Sequence, residues 1–206
     1  LPILVGGTGL FFTSLLKGLS DLPSIPIPMR EKVRAELEEH GAADMYEVLQ
    51  KEDEKEASMI KPNDQQRIAR ALEVMRSTGK SMFDFERPDE TEQLFAGKIL
   101  RKLILEPPRP LLHQRIERRF DNMVELGALD EVRELLSLNL PQDRTVLKAI
   151  GVPQFSAFLG GDIEMDEAIE KSKIATRQYA KRQSTWFRNQ MDESWERFEA
   201  LDQALA

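Results

Sequence analysis

The stretch LPILVGGTGLFF, residues 1–12, sets the fold class expected for this chain. Leu1–Val5 is a short apolar run and predicts a buried strand. Gly6–Gly9 follows as a glycine turn, and the residues after it predict a helix. A strand, a glycine-rich turn and a helix in succession are typical of α/β proteins, in which such a turn can hold a phosphate. A tight turn needs glycine for its own geometry as well, so both interpretations of the turn stay open.

The composition describes an ordinary globular chain with unevenly distributed charge. Of 206 residues, 41% are hydrophobic and 32% are charged, and the net charge of −7 argues against a uniformly basic nucleic-acid binder. The basic residues concentrate in two segments, Lys98–Arg119 and Lys171–Arg188, which indicates a specific anionic partner. Cysteine is absent, which excludes disulfides and thiolate metal sites.

Several prolines follow the predicted strand, turn and helix at the start of the chain. Pro23, Pro26 and Pro28 predict a linker, and short helices are predicted beyond it. The sequence therefore predicts three ranges: residues 1–22 as part of an α/β core, 23–97 as a helical insertion, and 98–206 as the rest of the core with C-terminal helices.

Start and stop signals outline the individual elements. Asn63 is predicted to cap a helix that has Gln66 at its third position and ends at Gly79. Ile99–Leu105, rich in branched apolar residues, predicts a strand. Helices are then predicted over residues 110–126, 128–138, 151–159 and about 166–189. The segment SWERFEAL, residues 194–201, is either a short strand or a frayed helix.

One arginine is predicted to point inward. Four apolar residues of the 110–126 helix share one stripe at about 100° per residue, namely Leu112, Ile116, Phe120 and Met123. Arg119 lies at the edge of that stripe, so we expect its side chain to face the protein body. An arginine there needs an anionic partner, which is either a structural carboxylate such as Glu106 or a bound anion.

The predicted helix over about 166–189 has two opposed faces. Tyr179, Gln183 and Trp186 lie on one of them. The other carries four basic residues with no acid among them, namely Lys173, Arg177, Lys181 and Arg188. A single-signed stripe is typical of a surface that binds a phosphate backbone, whereas the simpler alternative is a solvated helix face.

A second polar cluster lies on the helix that ends at Gly79. Gln66, Arg67 and Arg70 lie opposite its apolar residues, and their forked hydrogen-bonding groups suit bases and phosphates. Ordinary solvent exposure explains the cluster equally well. No nucleophile–base pair, paired-carboxylate site or metal cluster stands out in the sequence, so these residues alone name no reaction.

Five segments in order along the chain resemble those of the bacterial tRNA dimethylallyltransferases, also called tRNA isopentenyltransferases. They are LPILVGGTGLF, PNDQQRIARALEVMRSTGKS, LHQRIERRFDNMVELGALDEV, LKAIGVPQF and ATRQYAKRQSTWFRNQ. The resemblance implies a partial P-loop-kinase-like α/β core, with a parallel sheet, flanking helices and a helical insertion, which is mostly helical within this chain. It also implies transfer of a dimethylallyl group from dimethylallyl diphosphate to N6 of an adenine next to the anticodon of tRNA.

The resemblance carries over to particular residues and partners. Arg119 matches the arginine that handles the diphosphate, and Thr8 matches a substrate-contacting threonine in the glycine turn. The positions that match tRNA-contacting residues are Thr8, Arg30, Gln66, Arg67, Arg70, Lys148, Gly151, Lys181, Arg182, Gln183, Trp186 and Arg188. The implied partners are the tRNA anticodon stem-loop and dimethylallyl diphosphate, with Mg²⁺ as cofactor, in a cytoplasmic, monomeric protein without membrane contact.

The chain departs from the family pattern in two places. Val152-Pro153 stands where the family usually has an aromatic and a basic residue. The nucleotide-binding P-loop and the general-base aspartate of the family have no counterpart in the chain, and the ligands of Mg²⁺ belong to the same missing part. We therefore expect a fragment without activity of its own, and dimethylallyl transfer by the isolated chain would contradict that expectation.

Two alternative functions remain open on the sequence. One is an RNA-binding module that performs no chemistry. The other is an adenylate isopentenyltransferase, which acts on a free nucleotide and has no need of the long insertion or of its face of Gln66, Arg67 and Arg70.

Overall fold

The computed structural model describes residues 2–85, 95, 97–142 and 144–205. The chain forms two compact units, one made of Leu1–Gly9 with Ile99–Ala206 and the other of Leu10–Lys98. This division differs from the three ranges predicted from the sequence, which remain a prediction. Within the described residues the chain is mostly helical with a small parallel sheet, so the predicted fold class is confirmed.

Helices build the unit of Leu10–Lys98, and the longest of them has 26 residues. They are α1 (Gly9–Lys17, whose first residue belongs to the other unit), α2 (Ile27–Glu52), α3 (Glu54–Ser58), α4 (Gln65–Thr78) and a 3-10 turn (Met82–Asp84). Gly41 interrupts the geometry of α2 because its φ of 79° is not helical. Glycine adopts this φ without the steric cost that a side chain would add. The core consists of Val33, Met45, Leu49, Ala57, Ile60, Ile68, Ala69, Ala71 and Leu72.

Helix α4 begins one residue later than the sequence predicts. Asp64, and not Asn63, is the capping residue, since its carboxylate accepts the backbone N–H of Arg67 at 3.2 Å. Aspartate and asparagine cap helices almost equally well, so the local sequence did not discriminate between the two neighbours. Gly79 ends the helix as predicted, with a φ of 71° and its N–H donated to the Met75 carbonyl.

Arg76 connects α4 to both halves of the bent helix α2. Its Nη1 lies 2.6 Å from Glu36 Oε2, and its Nη2 lies 2.9 Å from Glu52 Oε1. Glu36 precedes the Gly41 bend and Glu52 follows it. The Arg76 side chain is only 20% exposed, so these contacts are partly shielded from solvent.

We expect Arg76→Ala to lower the free energy of unfolding by about 2 kcal/mol, because it removes charge-assisted hydrogen bonds and leaves two carboxylates close together. Urea denaturation followed by circular dichroism measures the change. Arg34→Ala is the matched control, since Arg34 is exposed and has no ion pair with a described residue. Equal stability of the two variants would show that the Arg76 bridge contributes nothing.

Glu56 is a buried carboxylate in the same unit, with 1% of its surface exposed. Its Oε1 accepts the backbone N–H of Met82 at 3.2 Å, while its Oε2 has no hydrogen-bond partner among the described residues. Burial raises the pKa of Glu56 above the ordinary value of 4.5. Hydrogen bonds from Ser81 and Met82 oppose that shift, and the nearby charges of Asp53 and Asp84 add to it.

The raised pKa of Glu56 predicts stability that falls as pH rises. Above pH 4.5 and below the raised pKa, the folded chain holds a proton that the unfolded chain has lost. Acidification from neutral pH through this window therefore stabilises the fold. We expect Glu56→Gln to flatten this pH dependence, as measured by urea denaturation across a pH series. Glu54→Gln, at an exposed site on the same helix, serves as control, and a Glu56→Gln curve parallel to that of the unaltered chain would contradict the prediction.

The other unit combines a two-stranded sheet with further helices. Its elements are β1 (Leu103–Leu105), α5 (Arg109–Glu125), α6 (Ala128–Ser137), a 3-10 turn (Thr145–Lys148), α7 (Val152–Leu159), α8 (Met165–Gln190), β2 (Glu196–Phe198) and α9 (Leu201–Leu205). β1 and β2 pair in parallel, with Ile104 opposite Arg197. The segment SWERFEAL, for which the sequence left two options, thus contains a strand.

Four helices share the core of this unit. Phe120 of α5, Val132 of α6, Phe155 of α7 and Ala168 of α8 are buried together, with the two phenylalanine rings 6.0 Å apart between centroids. The stripe predicted for α5 is confirmed at Ile116 and Phe120, which are both buried. This packing places α8 in the unit, and α8 carries most of the candidate site.

The predicted strand at Leu1–Val5 is not formed in the described residues. Ile3 is 77% exposed and Val5 is 88% exposed, and residues 2–5 make no backbone hydrogen bond to a described residue. A strand exists only where a neighbouring strand satisfies its backbone groups, and the apolar pattern of a single segment cannot supply that neighbour. Among the described helices, none has the length and apolar character that crossing a bilayer requires.

Candidate functional site

The glycine turn lies directly against α8. The side-chain amide of Gln183 donates a hydrogen bond to the Gly7 carbonyl at 2.8 Å. A Cβ atom on Gly7 would lie 2.2 Å from Gln183 Nε2, and one on Gly9 would lie 1.8 Å from Trp186 Cε3. The Trp186 ring therefore requires glycine at Gly9, whereas a side chain at Gly7 would displace the end of Gln183 and with it the hydrogen bond to the Gly7 carbonyl. Neither glycine has the positive φ that would demand glycine for its backbone alone.

Thr8 lies between these two contacts and is exposed, whereas Gly9 beside it is buried. The turn thus keeps its two flanking glycines against the helix, while Thr8 between them stays exposed. A hydroxyl both donates and accepts hydrogen bonds, which suits it to a phosphate oxygen or to a base edge.

A shallow groove of about 480 Å³ lies along the C-terminal half of α8. Lys181, Arg182 and Trp186 line it, together with exposed amide side chains. The Arg182 guanidinium lies 5.7 Å from the ring centroid of Tyr179, a cation–π contact that favours one direction of the arginine. Cations beside an aromatic ring are the groups with which proteins bind single-stranded nucleic acid.

The basic stripe predicted on α8 is divided by its neighbours. Lys173 pairs with Asp121 of α5 at 2.5 Å, and Arg177 contacts Glu117 at 3.4 Å and Glu170 at 2.8 Å. The prediction of an uncompensated stripe is wrong for these two residues, because α5 brings in acids that are distant in sequence.

The C-terminal half of the stripe keeps its positive charge. Lys181 and Arg188 are exposed and have no ion-pair partner among the described residues. The surface of α8 that is available to a polyanion is therefore its C-terminal half.

The inward orientation predicted for Arg119 is wrong. Arg119 is exposed and pairs with no carboxylate among the described residues. Glu106, the proposed partner, instead contacts Arg197 of β2 at 3.0 Å. A position at the edge of an apolar stripe allows a long side chain to turn its charged end to water, and Arg119 follows that course.

Lys148 and Gly151 belong to the segment that leads into α7. Lys148 ends the 3-10 turn and is exposed. Gly151 is buried, has a φ of 104°, and donates its N–H to Gln154 Oε1 at 2.9 Å. Of the two predicted tRNA contacts, only Lys148 has an exposed side chain, and Gly151 shapes the turn that precedes the helix.

The remaining predicted contacts belong to the unit of Leu10–Lys98. Arg30 of α2 is half-buried, and its Nε has no hydrogen-bond partner among the described residues. Gln66 and Arg67 are exposed at the start of α4, whereas Arg70 is partly buried beside Glu73, at 3.4 Å. Arg67 also contacts Asp64, at 3.5 Å, so the face presents two exposed side chains, and both of its arginines are partly neutralised.

The sequence analysis did not single out Tyr179 as a partner of Arg182. The three-residue spacing of the two along one helix was the signal that could have shown it. The contact between Gln183 and Gly7 joins residues far apart in the chain and had no such local signal.

Comparison with known proteins identifies the family. The family model described as IPP transferase matches residues 1–190. A protein named tRNA dimethylallyltransferase from Agrobacterium fabrum is 51% identical over 198 residues, which are 96% of this chain and 66% of that protein. One of the same name from Rhizobium meliloti is 46% identical over 202 residues, which are 98% of this chain and 66% of that protein. The chain spans just under two thirds of the length of these relatives.

Two solved structures agree with this assignment. The full-length tRNA isopentenylpyrophosphate transferase from Bacillus halodurans aligns over 93% of this chain and 57% of its own, with 32% identity and a TM-score of 0.53. A eukaryotic dimethylallyltransferase acting on tRNA aligns over 88% of this chain and 46% of its own, with 31% identity and a TM-score of 0.66. The resemblance seen in the five sequence segments is confirmed, and the chain belongs to the IPP transferase family.

Proposed function

We propose that the protein transfers a dimethylallyl group from dimethylallyl diphosphate to N6 of an adenine next to the anticodon of tRNA. The supporting observation is the double role of Trp186, which contacts the glycine turn at Gly9 and also lines the groove beside Lys181 and Arg182. Trp186 therefore connects the turn that carries the exposed Thr8 to a surface of cationic and aromatic side chains. An adenine that has left its stack needs such a surface for its ring and its flanking phosphates.

The proposed reaction makes one bond and breaks another. The N6 amine attacks the allylic carbon, the bond from that carbon to the diphosphate oxygen breaks, and one proton passes from N6 to solvent water. Diphosphate leaves with the bonding electrons, so cations near it lower the barrier. We assign this role to Arg119, whose guanidinium is exposed and pairs with no carboxylate among the described residues.

Mg²⁺ is the proposed partner of the diphosphate. The described residues contain no group of three or more His, Asp or Glu side chains that could hold a metal ion. We also propose that the 206-residue chain by itself binds RNA without turnover, because the P-loop and the general-base aspartate of the family have no counterpart in it.

Mass spectrometry of a synthetic anticodon stem-loop tests the proposal. The protein at its natural length is incubated with the RNA and dimethylallyl diphosphate, and the RNA is expected to gain one dimethylallyl group on adenine N6. Absence of this mass gain would contradict the proposed function. If free adenosine monophosphate were modified and the stem-loop were not, the adenylate isopentenyltransferase interpretation would replace it.

A further inference from the structure

Two side chains of α8 hold the glycine turn on either side of Thr8. We infer that Gln183 and Trp186 are positioning residues, which fix the turn so that the Thr8 hydroxyl meets the bound substrate. The inference rests on the proposed function, because it takes Thr8 as a substrate contact. It gives Gln183 and Trp186 a role different from the direct tRNA contact that the family resemblance implies for them.

Gln183 acts on the residue before Thr8. Its Nε2 donates to the Gly7 carbonyl at 2.8 Å, and a Cβ on Gly7 would lie 2.2 Å from the same nitrogen. The amide is therefore close to the Cα of Gly7 while it bonds to the carbonyl. A side chain engaged in this way has part of its hydrogen-bonding capacity already used by the protein.

Trp186 acts on the residue after Thr8. Three atoms of its indole ring lie 1.8–2.4 Å from the place that a Cβ of Gly9 would occupy. The ring is thus close against the backbone of Gly9, and only a residue without a side chain allows this approach. Gln183 and Trp186 are three residues apart on α8, a spacing that puts them on the same face of the helix.

The backbone before the turn gives Thr8 little other support. Residues 2–5 are exposed and form no backbone hydrogen bond to a described residue. The position of Thr8 relative to α8 therefore depends on the contacts at Gly7 and Gly9. A displacement of about 1 Å at a substrate-contacting group is enough to weaken its interactions strongly.

A double-mutant cycle between Gln183 and Thr8 tests the inference. Gln183→Glu keeps the size of the side chain but cannot donate a hydrogen bond to Gly7 O, and Thr8→Ala removes the hydroxyl. The probe is a synthetic anticodon stem-loop with an adenine next to the anticodon, and the 206-residue chain is titrated at low salt. Gln178→Glu, at an exposed glutamine that lines the groove of the same helix, gives the effect of a negative charge added at this surface without loss of the Gly7 contact.

We expect Gln183→Glu to weaken binding about tenfold beyond Gln178→Glu when Thr8 is present. With Thr8→Ala, the two glutamate variants are expected to bind alike, because a residue that acts through Thr8 has nothing left to position. Trp186→Phe, which keeps a ring against Gly9, is expected to retain most of the affinity that Trp186→Ala loses.

Each outcome has a defined meaning. Independent decreases in affinity for Gln183→Glu and Thr8→Ala, or no decrease on Thr8→Ala, would overturn the positioning role. If Gln183→Glu lowers the midpoint temperature of unfolding, the cycle is repeated with Gln183→Met, which adds no charge. Additive decreases in affinity for Gln183→Met and Thr8→Ala would then overturn the positioning role. Failure of the unaltered chain to bind the stem-loop contradicts the proposed function itself, whereas binding with additive decreases contradicts only the positioning role.

Discussion

Reversal of Lys181, Arg182 and Arg188 to glutamate together is expected to weaken binding of an anticodon stem-loop about 100- to 1,000-fold at low salt. Three exposed cations without ion pairs among the described residues lie on the C-terminal half of α8, namely Lys181, Arg182 and Arg188, and the first two line the groove. Each reversal removes an attraction to phosphate and adds a repulsion. The effect exceeds that of the other binding variants because three charges on one helix change sign together.

Salt dependence separates weakened phosphate binding from misfolding. For a single-stranded target, the slope of log K against log salt concentration falls by about 0.7 for each phosphate that the protein no longer neutralises, so the slope for the triple variant is smaller by about 2 units. Fluorescence anisotropy over a salt series measures both the affinity and its slope against salt concentration. Lys171→Glu is the single-reversal control, since Lys171 pairs with Glu167 at 2.8 Å on the same helix outside the groove.

If the triple variant binds the stem-loop within threefold of the affinity of the unaltered chain, the C-terminal half of α8 does not bind the RNA. A slope that stays constant while affinity drops would point to damaged structure and not to weaker phosphate neutralisation. Circular dichroism of the triple variant checks that the helices are intact.

The largest decrease in stability is expected for Phe155→Ala, at about 3–5 kcal/mol. Phe155 is 1% exposed and packs with Phe120, Val132 and Ala168, which come from three other helices. Truncation to alanine removes the apolar side chain and leaves a cavity that four joined helices cannot easily close. Urea denaturation monitored by circular dichroism measures the difference in free energy.

Two further substitutions calibrate the Phe155 result. Phe155→Leu keeps most of the apolar volume and is expected to cost about 1.5 kcal/mol or less. Phe158→Ala removes a ring from the same helix at a half-buried position, where a smaller destabilisation is expected than at Phe155. Equal destabilisation by Phe155→Ala and Phe158→Ala would contradict the central position of Phe155 in the core.

The helices were largely predictable because their signals are local. Predictions over residues 110–126, 128–138 and 166–189 match α5, α6 and α8 to within one residue at each end. Apolar spacing near 3.6 residues reports which face of a helix will be buried, whatever that face contacts. Gly79 was recognisable for the same reason, since a helix end is decided by a few neighbouring residues.

Two predictions that were wrong share a different cause. Leu1–Val5 has the composition of a strand, and α8 has the charge pattern of a continuous basic stripe. Each property depends on a partner elsewhere in the chain, namely a neighbouring strand for the first and the acids of α5 for the second. The inward orientation predicted for Arg119 was wrong for another reason. The angular position of a residue on a helix gives the direction of its Cβ atom but not the path of a long side chain.

The sequence by itself determined the family, the helical character and the residue types of the candidate site, because motif order and helical periodicity are written in short stretches of chain. Only the tertiary structure decided which cations remain available and why the opening turn contains glycine. Asp121 and Glu117 neutralise the first half of the α8 stripe. Trp186 lies too close to the turn for any side chain at Gly9, and Gln183 bonds to the carbonyl of Gly7. These contacts join residues that are 50 or more positions apart in the chain, and their geometry is set when the helices pack.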